Sequence, residues 1–96
     1  MMGGPRKTRA IRAALLSKGF MADDTHHEMF WFVVDGRKSS IRTRISHGVA
    51  EYGDNLLALI ARQVGLSNRE LYSLVDCPMD GEKLKKVLVE RGKVRP

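Results

Sequence analysis

The chain has one cysteine among 96 residues, so no disulfide closes within it, and a reducing, cytoplasmic setting is the expectation. Cys77 reads as a structural thiol, because a nucleophilic cysteine needs an electropositive niche. No apolar run approaches the roughly 20 residues that span a bilayer, which excludes a membrane-spanning helix. Residues 1–18 are basic but lack a long apolar segment, which argues against a signal peptide. A glycine-rich phosphate loop, a G-x-S-x-G elbow and an H-E-x-x-H helix are all missing. There is no internal repeat and no interdomain linker. No ligand spacing is diagnostic of a metal. His26 and His47 with Asp23 or Asp24 form the one set worth weighing, and zinc sites carry stronger patterns, so no metal or other cofactor is expected.

What remains is a small basic chain. Hydrophobic residues make up 43% and charged residues 29%, ordinary for a folded domain. The net charge of +6 favours polyanionic partners, and its distribution is blocked. Arg6, Lys7, Arg9, Arg12 and Lys18 are followed by the acidic Asp23, Asp24, Glu28 and Asp35. Arg37, Lys38, Arg42 and Arg44 turn the chain basic again, and six further cations lie from Lys83 to Arg95.

The patterning predicts a first helix from Thr8, its hydroxyl capping, with Ile11, Ala14, Leu15 and Leu16 as the apolar stripe and Gly19 as the stop. A short strand is expected at residues 20–22, a second at 26–34 and a third at 39–46, the last two joined by an Asp35-Gly36 turn. In the third, Ile41, Thr43 and Ile45 share one face, and Arg42 and Arg44 share the other. The second strand is apolar on both faces: Phe30, Phe32 and Val34 on one, Met29, Trp31 and Val33 on the other. Helices should therefore cover one face, and the C-terminal helix, a second protomer or a partner should cover part of the other. After a loop at residues 48–53, Asp54 is the expected cap of a helix carrying Leu56, Leu57, Leu59, Ile60 and Val64. Ser67 and Glu70 spell a capping box for a third helix. Pro78 ends that one, and Asp80 opens a fourth with Leu84, Val87 and Leu88 inward. The expectation is α+β: an α-β-β-β-α order with a three-stranded antiparallel sheet, plus extra C-terminal helices. Residues 1–7 would be a disordered basic tail, 8–92 a single domain and 93–96 a second tail.

His26 and His27 are the leading candidates for chemistry. Neighbours on a strand face opposite ways, so the two do not chelate one ion together. Histidine moves protons near neutral pH, and RNA cleavage needs groups to activate a 2′-hydroxyl and protonate the leaving oxygen, with cations for the charged phosphorane. His26 or His27, with Arg42 or Arg44, would supply those parts. A hairpin whose facing residue numbers sum to about 71 sets His26 near Ile45, with His47 just beyond. Trp31 is either a stacking platform for a base or a packed apolar residue, and Arg9 and Arg12 on the first helix either track phosphates or lie in solvent.

Four passages resemble the HicA-type toxins of toxin–antitoxin systems. They are Lys18-Gly19-Phe20, Thr25-His26-His27, Ile45-Ser46-His47-Gly48 and, most specifically, LLALIARQVGLS over residues 56–67. The likeness covers roughly residues 8–75, with 80–92 as an extra helix. It departs where Asp24-Thr25 replaces Gly-Ser, where Ile45-Ser46 lacks the family's proline, and where Asp54-Asn55 replaces Gly-Thr. The resemblance implies a fold similar to double-stranded-RNA-binding domains and ribosome-independent mRNA interferase activity, with His26 at the position of the catalytic histidine. It also implies an antitoxin protein that covers the site. The reading is an RNA-directed protein acting on mRNA: His26 and His47 catalytic; Arg9, Arg12, Arg37, Lys38, Arg42 and Arg44 holding phosphate; Met29 and Trp31 facing a partner or a second copy in a homodimer. The alternative is a non-catalytic nucleic-acid-binding or protein-interaction module of the same fold.

Overall fold

The computed structural model describes residues 4–23, 25, 28–46, 48–76 and 78–95. Its elements are β1 (Arg6–Lys7), α1 (Thr8–Ser17), β2 (Phe20–Ala22), β3 (Met29–Val34), β4 (Arg37–Arg44), β5 (Glu51–Tyr52), α2 (Asp54–Val64), α3 (Asn68–Val75) and α4 (Gly81–Glu90). β2, β3 and β4 form an antiparallel sheet in that order, and β1 pairs with β5 in a separate two-stranded ribbon. The expected α-β-β-β-α order is present, with the β1–β5 ribbon added to it and two more helices following. The Cα radius of gyration, 12.3 Å, matches the ~12–13 Å of one domain of this length.

The sheet's period-2 pattern decides what it buries. Phe20, Phe30, Phe32, Ile41, Thr43 and Ile45 point inward and are buried. They meet Ile11 and Leu15 of α1, Leu57, Ile60 and Val64 of α2, Leu71 and Leu74 of α3, and Leu84 and Leu88 of α4 in one core. α4 thus packs on the same core as the other helices.

The Asp35-Gly36 turn has positive φ at both residues, 52° and 77°, the geometry that matches strand twist in a two-residue hairpin. It pairs Val34 with Arg37 and Val33 with Lys38, giving the expected sum of 71, but then the register shifts. Trp31 faces Arg42, Phe30 faces Thr43 and Met29 faces Arg44, so partner numbers now sum to 73. β4 carries two extra residues in this interval. The Ser39 hydroxyl fills the gap, donating to the Phe32 carbonyl at 2.8 Å and accepting from the Ile41 amide at 3.1 Å. At the entry to β2, Gly19 has φ 101°, and a Cβ there would meet the Phe32 ring at 2.9 Å. Any other residue would be both strained and obstructed.

Several local expectations are corrected. Lys7, not Thr8, is the N-cap of α1; the Thr8 hydroxyl donates instead to the Val49 carbonyl at 2.7 Å. Gly53 caps α2, and Asp54 accepts from the Tyr72 hydroxyl at 2.7 Å and the Gly4 amide at 3.1 Å. The loop expected at 48–53 contains β5. Leu16, Leu56 and Leu59 are exposed, so the buried stripes are narrower than hydropathy suggested. The capping box of Ser67 and Glu70 and the Asp80 cap are as expected. Residues 6 and 7 of the expected tail are structured. Arg6 donates two bonds of 2.8 Å to Asp76 and lies 4.9 Å from the centroid of the Tyr72 ring. At the other end, Val94 packs against the core.

Candidate nucleic-acid interface

The second face of the sheet faces outward. Met21, Trp31 and Arg42 form one cross-strand row, with Met29 beside Arg44 and Val33 beside Lys38. Met21, Arg42 and Arg44 are exposed, while Met29, Trp31 and Val33 are half-buried. Of the three covers considered for this face, the C-terminal helix is ruled out, since Leu84 and Leu88 sit in the core on the other side.

Trp31 is the centre of this surface. The Lys38 ammonium lies 5.3 Å and the Arg42 guanidinium 5.2 Å from its ring centroid, both within cation–π range. The indole nitrogen donates to Asp23 Oδ2 at 3.2 Å. The Lys38 ammonium reaches the same oxygen at 3.4 Å. The other Asp23 oxygen accepts from the Thr25 amide at 2.9 Å and the Thr25 hydroxyl at 2.8 Å. Those Thr25 bonds, with Lys38 adding to them, hold the Asp23 carboxyl well below the usual carboxylate range. Asp23 is thus a fixed anion that orients the indole and Lys38.

The cations on this surface fall into two classes. Arg44 donates to Glu28 Oε1 at 3.1 and 2.7 Å, and Lys38 is paired with Asp23. Arg37 and Arg42 make no ion pair among the described residues. Arg42, exposed and beside Trp31, is the cation best placed to meet an incoming anion. Arg9 and Arg12 lie elsewhere, lining a groove with Lys7, Val49, Ala50 and Glu51. Lys18, grouped by sequence with the basic helix face, is buried, and its ammonium donates to the Leu74 carbonyl at 2.6 Å.

His26, His27, His47, Asp24 and Cys77 lie outside the described residues. Among the described residues no three His, Cys, Asp or Glu side chains group as metal ligands, and no helix is long and apolar enough to cross a membrane. In the sequence Asp23 reads as a candidate metal ligand, not as the residue that steadies Trp31. Its partners lie eight and fifteen positions on, and only the sheet register brings them together.

No protein-family model, curated protein or solved structure matches this chain.

Proposed function

We propose that this protein binds single-stranded RNA through the outer face of its sheet, and that it cleaves the bound RNA as a HicA-type mRNA interferase would. The observation that carries the binding reading is Trp31 on an outward sheet face, with Lys38 and Arg42 close to its ring. A half-buried indole anchored at its nitrogen offers its ring to a base, and base–aromatic stacking is worth about 1–3 kcal/mol. Arg42 and Arg37, without carboxylate partners among the described residues, supply the phosphate contacts.

The cleavage reading rests on the resemblance and on sequence arithmetic. His26 is the general acid/base, with His47 as its companion and Arg42 stabilising the phosphorane charge. The hairpin register expected from the sequence sets His26 near Ile45, with His47 just beyond, which supports the two acting together. An antitoxin protein covering this face is the partner the same reading implies.

The chain has one tryptophan, so its emission reports directly on the site. Titration with a short RNA should quench that emission, with an affinity that weakens steeply with salt. Trp31→Ala should cost about tenfold or more in affinity, measured by fluorescence anisotropy. His26→Ala should still bind but leave the RNA intact. No quenching and no binding at low salt would end the RNA reading. Binding without cleavage by the unaltered protein would leave the binding module alone.

A further inference from the structure

A cleft of about 910 Å³ lies between the β3–β4 hairpin and the segment after α4. Four cations line it: Arg37 and Lys38 from the hairpin, Lys93 and Arg95 from the C-terminal segment. Val89 and Val94 give it an apolar floor. Among the described residues its one lining carboxylate is Asp35, with the Lys85 ammonium 3.9 Å away. Arg37, Lys93 and Arg95 have no carboxylate partner among the described residues. These three cations repel one another across the cleft, and an anion bound among them would relieve that repulsion.

Lys38 joins this cleft to the sheet face, because it lines the cleft and also lies over Trp31. The two surfaces are therefore continuous. We infer that an RNA strand stacked on Trp31 runs on past Lys38 into this cleft, so that Lys93 and Arg95 hold its phosphates and residues 92–95 form part of the RNA surface. This inference rests on the reading of the sheet face as RNA-binding. Continuity through Lys38 favours a strand over a free nucleotide, since one chain of phosphates would satisfy both sets of cations.

The test compares the full chain with its Lys93→Glu/Arg95→Glu variant, using RNAs of roughly 4 and 12 nucleotides, the range of single-strand site sizes. The unaltered protein should bind the longer RNA more tightly. The variant should bind the shorter RNA with unchanged Trp31 quenching, which also shows that it has folded. It should lose about tenfold on the longer RNA, and its salt dependence should flatten by about 1.4 in log–log slope, because two fewer phosphates are neutralised. Equal binding of both RNAs by both proteins would overturn the inference while leaving the sheet-face reading standing. So would pyrophosphate or a mononucleotide saturating the cleft as tightly as the longer RNA. If the unaltered protein binds no RNA at all, the sheet-face reading itself fails.

Discussion

At the scale of single residues, two side chains reverse their apparent roles. Lys18 reads in sequence as one more cation on a basic helix. In the structure it crosses the interior to the last turn of α3, where a positive group meets carbonyls without amide partners. Replacing it with methionine would strand the Leu74 carbonyl. Lys18→Met should cost about 1–3 kcal/mol in urea unfolding, and a loss below the measurement error would show that water serves that carbonyl equally well. Asp23 likewise turns from an isolated acid into the fixed point of the Trp31 surface. Both roles depend on residues far apart in sequence, which composition and spacing do not encode.

At the scale of elements, the ends of α3 are held by two ion pairs, and the arginine of each holds its carboxylate below the ordinary range. Arg91 donates to both Glu70 oxygens at 2.7 and 2.6 Å, joining the start of α3 to the end of α4. The Arg91 guanidinium first, then the Ser67 amide and hydroxyl, pull the Glu70 carboxyl down to about 2, against partial burial. The folded value lies below the ordinary 4.5. The contribution of this pair is therefore complete above about pH 4.5 and is lost as pH falls through about 2. Both side chains are partly exposed, so the effect is screened. Glu70→Gln should lower stability at neutral pH and flatten the acid limb of the stability curve between those values. Parallel curves for the two proteins would show that other groups govern the acid limb. The capping box that sets Glu70 in place was readable from S-x-x-E alone, as was the Asp35-Gly36 turn, because each is a local rule of backbone geometry. The register shift at Ser39 was not, since the hairpin rule counts outward from the turn and has no knowledge of an irregularity further along.

At the scale of the whole molecule, residues near both ends of the described chain are tied in. Arg6 bridges to Asp76, and the Thr8 amide donates to the Ala50 carbonyl at 3.0 Å, closing the β1–β5 ribbon against the helices. In sequence alone this stretch reads as a tail, because glycine, proline and like charges carry no sign of a partner seventy positions away. Arg6→Ala should release it. The Thr8 amide should exchange faster with solvent deuterium, and global stability should fall by about 1 kcal/mol, the upper range for a partly exposed pair. Unchanged exchange at Thr8 would mean that the ribbon holds without its clamp. The α+β order, the hairpin and the inward face were legible because they follow periodicity. The sequence leaves the cover of the outer face open among three candidates, because an amphipathic helix announces that it packs, not which side it packs on.

β4 has a further property that follows from its place in the sheet. It is eight residues long and forms one edge of the sheet, with Arg37, Lys38, Arg42 and Arg44 along it. Long edge strands invite pairing with their own kind, and charges of one sign oppose it. The cations proposed to attract RNA would thus also keep copies of the protein apart. Alanine variants made to test RNA binding would remove that guard and invite aggregation, so weaker binding would be confounded with a shortage of dispersed protein. Glutamate in their place keeps the edge charged while reversing its preference for polyanions, which makes charge reversal the cleaner probe of this surface.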